Sequence, residues 1–283
     1  MPVLSRLSIR HLLFGGAFLT AFVILFWPTF VWMAERFDAR DSFYSHGWLI
    51  PFASAWLIWQ RRGVCAQGHP QASYRGLSLL IPSVVIHVLA SWLDIGFASG
   101  LAMLGAIWGL VWTLWGWRTL WTLRFPMLFL LFMVPLPGVL LIAVSFQMKL
   151  LAATLASHLL TFIGIPAQQA GSTIHVPGIS VIVDDTCSGL RSLISLVALA
   201  TLWTSLLPRA AAGWWKKLVL VAASIPIALV ANMSRILVLV LLSAIYGPKI
   251  ADSFIHYGSG LVVFGIAIAA LAWLSQALVK PAA

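Results

Sequence analysis

KLVLVAASIPIALVANMSRILV, residues 217–238, runs for 22 residues with a lysine at its head and an arginine near its foot. A helix of about 20 mostly apolar residues covers the roughly 30 Å of a bilayer's hydrocarbon. The stretch therefore reads as a membrane span, and runs like it recur along the chain. Of 283 residues, 61% are hydrophobic and only 8% are charged, with a mean hydropathy of +1.01. An ordinary soluble domain is about one quarter charged, so an integral membrane protein is expected. No alternating barrel pattern, polar linker, low-complexity tract or internal repeat interrupts the apolar runs. That predicts an all-α, polytopic helical bundle forming one domain over residues 1–283.

Eight spans are expected, near 12–34, 44–60, 76–93, 97–117, 125–145, 188–207, 217–238 and 258–279. The first reads as a retained span, because its apolar run is long and lacks a small-residue cleavage site. Both termini then share a side. Arg6, Arg10, Arg61, Arg62, Arg75, Arg118, Arg124, Arg209, Lys216, Lys217 and Lys280 fall on it, which marks it as cytoplasmic. Glu35, Asp38, Asp41, Asp94, Asp184, Asp185 and Asp252, all the acids in the chain, fall opposite. The net charge of +10 is thus explained by topology, with no call for nucleic acid.

Residues 125–165 are broken by PLPG at 135–138. Charge requires an odd number of crossings there, so 146–165, with Lys149, Thr154, Ser157, His158 and Thr161, is expected to lie along or re-enter the outer interface. PAQQAGSTIHVPGISVIVDDT, 166–186, carries Gly and Pro punctuation and a β-branched run, and reads as an outer loop or small hairpin before the sixth span.

VDDTCSGLRSL, 183–193, joins that acidic loop to the sixth span. A thiol at Cys187 in a helix's first turn feels the positive end of the macrodipole, and Arg191 one turn deeper adds to it, so the thiolate is favoured. Asp184 and Asp185 oppose this. Alternatively Thr186 or Asp185 caps the helix, Cys187 fills space and Arg191 snorkels to water. In ANMSRILVLV, 231–240, Asn232 and Arg235 share a helix face; an arginine at mid-span costs around 3 kcal/mol, so it pairs or serves a task. Counted from Lys217, Arg235 lies roughly 27 Å along the helix, near the outer surface, where snorkelling to lipid phosphate is the alternative role. In FIHYGSG, 254–260, His256 precedes the last span and two glycines allow close packing.

Cys187, Arg235 and His256 thus arrive on three helices at one depth. A thiol with an imidazole is the minimum for acyl transfer, and a guanidinium can donate to the developing oxyanion. His46 in YSHGW is expected on the same side, either lining the site or serving the interface. His158 and His175 have no further support. Cys65 falls on the opposite face, so no disulfide with Cys187 is expected. The fifteen tryptophans fit interfacial belts and packing. No Walker loop, dinucleotide fingerprint, HExxH or CxxC pair occurs, so neither metal nor cofactor is indicated.

YSHGWLIP at 44–51, TCSGLRSL at 186–193, NMSRI at 232–236 and IHYGSG at 255–260 resemble, in order, the blocks of the exosortase family, bacterial membrane relatives of archaeosortase. The resemblance covers nearly the whole chain. It implies a multi-pass inner-membrane cysteine protease or transpeptidase with its site on the periplasmic side. Its implied partners are exported proteins bearing a C-terminal Pro-Glu-Pro signal, a span and a basic tail, besides membrane lipid. The family's proposed triad falls on Cys187, Arg235 and His256; beside it Arg191, Asn232, His46 and Ser188 are expected as supporting or substrate-binding residues. Two rivals stand beside it. One is a transporter or flippase of polysaccharide or lipid-linked sugar, holding a pyrophosphate on Arg235 and Arg191. The other is a serine protease using Ser188, Ser234 or Ser259 with His256. A transporter tolerates loss of the thiol, and thiol-selective alkylation separates the two proteases.

Overall fold

Residues 9–39, 42–67, 71–183, 189–207, 213–246 and 254–278 are described in the computed structural model, which is helical apart from one small sheet. Internal contacts divide the chain into two units, Met1–Ala39 with Gly47–Pro135, and Arg40–His46 with Leu136–Ala283.

The first unit contains α1 (Ile9–Leu25), α2 (Trp27–Asp38), α3 (Leu49–Gln60), α4 (Arg62–Gln67), α5 (Leu77–Trp92), α6 (Gly96–Thr122) and α7 (Arg124–Phe129). α1 and α2 meet at a 63° bend, with Pro28 in the first turn of α2, where its missing N–H removes a continuing helix bond. The bend is held by side chains. His87 of α5 lies within 2.8 Å of the Leu25 carbonyl through Nε2 and 2.8 Å of Ser99 Oγ through Nδ1, and Ser99 stands 2.6 Å from Thr29 Oγ1. With Nε2–H donating to the carbonyl, Nδ1 is left to accept from the serine. α5 and α6 pack through small residues: a Cβ on Gly109 would lie 2.6 Å from the Leu80 nitrogen, and one on Gly105 would strike Ser83. α6 breaks at Gly116, whose φ of 81° suits a residue without a Cβ.

The second unit contains α8 (Gly138–Phe162), an antiparallel sheet of β1 (Gln168–Ala170), β2 (Thr173–Val176) and β3 (Ile179–Ile182) in that order, then α9 (Leu190–Leu206), α10 (Trp214–Tyr246) and α11 (Phe254–Leu278). α10 is its axis. Along one stretch Leu220 and Ala228 pack with Leu196 and Ala200 of α9 and with Ala267 and Leu271 of α11. Farther on, Ile236, Leu239 and Val240 join Ala152, Ala153, Ala156 and Leu160 of α8 beneath the sheet. Alanines spaced one turn apart let helix backbones approach where lipid offers no hydrophobic drive. The sheet turns Ile174 and Val176 inward and His175 outward, as a two-residue period requires.

Five described helices are long and apolar enough to cross a membrane, Tyr74–Trp92, Gly96–Thr122, Gly138–Phe162, Trp214–Ser243 and Gly258–Leu278, or six if the bent α1–α2 pair is one span. The expected count of eight is not confirmed, for local reasons. Within 44–60, residues Ser45–Trp48 wind as a 3-10 turn and leave α3 only 12 residues, about 18 Å of helix. Within 125–145, the residues before Pro135 and Pro137 are pushed toward extended backbone, and Val134 adopts φ −81° and ψ 112°. The helical stretch Arg124–Met133 therefore stops short, and a new 25-residue helix starts at Gly138. Residues 146–162, expected at an interface, belong to this continuous helix. The loop or small hairpin anticipated at 166–186 is a three-stranded sheet over 168–182, with 184–186 outside the described residues.

Candidate functional site

α9, α10 and α11 enclose a small cleft in the second unit. Its polar end is formed by Ser192, Asn232 and Arg235, and its apolar wall includes Leu196, Val263 and Phe264. Asn232 and Arg235 reach it together because residues three apart share a helix face. Asn232 is buried and Arg235 part-buried. Ser192 comes from the first turn of α9, where its hydroxyl donates to the Gly189 carbonyl at 2.9 Å.

Two glycines face the cleft's polar residues, one in close contact and one with room. Gly189 precedes α9 in the left-handed region, φ 76° and ψ 0°, and a Cβ there would stand 2.5 Å from Asn232 Cγ. It is the G of CSGLR, so the residue that leads into α9, two after Cys187 in sequence, sits on the Asn232 side chain. Gly260 of α11 faces Arg235, its missing Cβ lying 3.5 Å from the guanidinium carbon. His256 is four positions earlier in the same helix, one turn away. Hence the blocks around residues 189, 232–235 and 260, far apart in sequence, meet around one cleft.

Cys187 and Ser188 lie outside the described residues, as does the side chain of His256. Arg191 is exposed beside the cleft-lining face of α9, which carries Ser192 and Leu196. Ser234 points elsewhere: it is exposed and its hydroxyl donates back to the Val230 carbonyl at 2.9 Å. His175 pairs with Ser180 across the outer face of the sheet at 2.7 Å.

His46 is held in the second unit. Its Nδ1 hydrogen-bonds with Ser195 Oγ at 3.1 Å, its ring stacks on Tyr44 at 5.7 Å between centroids, and Tyr44 Oη accepts from the Leu136 N–H at 3.2 Å. His46 Nε2 is buried with no partner among the described residues. It lies in the 3-10 turn, outside the candidate spans, where burial pushes its pKa down to about 4, so it is neutral near pH 7. Ser195 carried no signal in the sequence beyond its place one turn after Arg191. Gly189 had one, the glycine between a cysteine and the start of an apolar helix, but its contact with Asn232 is a tertiary fact.

A family model described as transmembrane exosortase matches residues 32–273. That range takes in all four blocks, from His46 to Gly260. Neither the curated proteins nor the solved structures yield a match.

Proposed function

Since the chain belongs to the transmembrane exosortase family, we propose that it is a membrane cysteine protease or transpeptidase. It would cleave exported proteins at a C-terminal Pro-Glu-Pro signal, on the periplasmic side of a bacterial inner membrane with both termini cytoplasmic. The observation that carries this reading is the pair of glycine contacts, Gly189 on Asn232 and Gly260 on Arg235. They bring Gly189, two residues after Cys187 in sequence, and Gly260, four residues after His256, to the helix face that carries Asn232 and Arg235. A substrate held by a span and a basic cytoplasmic tail presents its motif at the outer interface, which is the depth read for these blocks from charge.

In this mechanism the His256 imidazole takes the thiol proton and the Cys187 sulfur attacks the scissile carbonyl carbon. Arg235 donates hydrogen bonds to the resulting oxyanion. The tetrahedral species collapses, the C–N bond breaks, and the imidazolium returns the proton to the departing amine with its membrane tail. Water or an acceptor amine then attacks the thioester, releasing the thiol. Asn232 and Arg191 orient the guanidinium and the thiol.

The test is cleavage of a reporter protein ending in a Pro-Glu-Pro motif, an apolar span and an arginine cluster. Cys187→Ala abolishes its processing while protein level is kept, and iodoacetamide inactivates the wild type. Normal processing by Cys187→Ala overturns the reading.

A further inference from the structure

β3 is an edge strand, and its register says which backbone groups the edge leaves over. Val176 pairs with Ile179 across a two-residue turn, Ile174 with Val181, and the Val183 N–H reaches the Ser172 carbonyl at 2.9 Å. Bonding toward β2 therefore falls on residues 179, 181 and 183, and antiparallel ladders alternate. The N–H and C=O groups of Ser180 and Ile182 consequently point away from β2, with no backbone partner among the described residues. The side chains there are open too: Ser180 is exposed and Ile182 is 68% exposed. β1, the other edge, offers the groups of Gln169 alone, because residues 168 and 170 bond toward β2.

The position of this edge matters as much as its openness. Val183, at the end of β3, is 3% exposed and packs in one cluster with Ile236, the residue after Arg235. The strand thus runs toward the polar end of the cleft, and Cys187 follows five residues after Ile182. Exposed strand edges accept extended peptides through main-chain bonds, with pockets reading alternate side chains.

We propose that the outer edge of β3 binds the substrate peptide as a fourth strand, with the backbones of Ser180 and Ile182 holding it while its carbonyl is delivered toward Arg235. This inference rests on the protease reading above. A Pro-Glu-Pro segment suits such an edge. In a strand the N–H and C=O of one residue face one side and those of the next face the other, so both prolines put their missing N–H on the outer side while the glutamate bonds to β3. The added strand is then barred from recruiting a further one.

The experiment has two arms. First, Ser180→Pro and Ile182→Pro remove only outward N–H groups, which an edge strand tolerates, and each is compared with the alanine variant at the same position. Each proline variant is expected at least tenfold below its alanine counterpart in reporter cleavage at limiting substrate, with iodoacetamide labelling of Cys187 unchanged as evidence of folding. Second, a photo-crosslinking phenylalanine at position 182 in the Cys187→Ala protein is expected to capture the reporter through its motif segment. Equal cleavage by a folded proline variant and its alanine counterpart, or adducts only to a second copy of this chain or to lipid, overturns the edge proposal. If either occurs while Cys187→Ala is inactive, the protease reading stands alone. If Cys187→Ala cleaves, that reading fails, and the adduct at 182 still decides whether the edge holds peptide.

Discussion

Gly189 lies against Asn232 so closely that a Cβ at 189 would stand 2.5 Å from Asn232 Cγ and 2.9 Å from its Cβ. The same glycine holds φ 76°, which costs a residue with a side chain about 1–2 kcal/mol before any clash. Gly189→Ala is therefore expected to shift the start of α9, lower reporter cleavage by at least tenfold and reduce thermal stability in detergent. Because the clash, unlike the φ strain, is with Asn232 itself, Gly189→Ala and Asn232→Ala should be non-additive in a double-mutant cycle. Additive losses would mean the two residues act separately.

Much of this arrangement was legible in the sequence. The spans at 76–93, 97–117, 217–238 and 258–279 correspond to long apolar helices, because an unbroken apolar run leaves the backbone no partner in lipid except itself. At 146–165 the expectation rests on charge, which asks for an odd number of crossings, whereas Gly138–Phe162 is one helix long and apolar enough to cross, with Thr154, Ser157 and Thr161 inside it. Each hydroxyl donates to a carbonyl of its own helix, at Leu150, Thr154 and Ser157, so polarity there does not exclude a span. The set of Thr29, His87 and Ser99 escaped notice for another reason: its members are 58 and 70 positions from Thr29, and no periodicity records such pairings.

Gly260 differs from Gly189 in having room. An added Cβ would meet the Arg235 guanidinium carbon at 3.5 Å, an ordinary contact. Gly260→Ala should therefore fold well and gain helix stability, about 0.5–1 kcal/mol from propensity, while Gly260→Leu should displace the guanidinium and lower cleavage by tenfold or more. Thermal unfolding and initial rates measured on both variants decide it; equal activity of the two would detach Gly260 from the site.

Arg235 lines the cleft whereas Arg191 is exposed beside it, so the two guanidiniums are not equivalent. If Arg235 donates to the oxyanion, Arg235→Gln should lower kcat by about 10²–10³ with a smaller change in KM. Arg235→Lys should recover only part of this, since an ammonium lacks the planar fork. Arg191→Gln should cost clearly less than Arg235→Gln. A larger loss at 191 would transfer the oxyanion role there.

His87 joins the Leu25 carbonyl and the Ser99 hydroxyl at 2.8 Å each while being 2% exposed. His87→Leu removes the side-chain partner of the Leu25 carbonyl and one of the two partners of the Ser99 hydroxyl, which keeps Thr29 at 2.6 Å, at about 1–3 kcal/mol for a buried group left unsatisfied. Ser91→Ala removes only a hydroxyl 3.4 Å from Nδ1, too long to matter greatly. The expected result is a marked fall in melting temperature for His87→Leu and almost none for Ser91→Ala, read by thermal unfolding in detergent. Equal effects would show that the α1–α2 bend does not depend on the imidazole.

His46 supplies a pH test whose sign follows from its burial. Its pKa is pushed from an ordinary 6.5 down to about 4 in the folded protein. Above 6.5 the ring is neutral in both folded and unfolded chains, so its protonation contributes no pH dependence. Between 6.5 and 4 the unfolded chain takes up a proton that the folded one refuses, and stability falls as pH falls, with the loss complete below about 4. His46→Asn keeps a hydrogen-bonding group for Ser195, able to donate or accept, but cannot titrate. Its melting temperature should fall less steeply than that of the wild type from pH 7 to pH 4, so the gap between the two proteins changes with pH. A constant gap would mean that His46 titrates normally. Between pH 6 and 8 His46 stays neutral, so any ionisation governing cleavage in that window belongs to another group and should persist in His46→Asn.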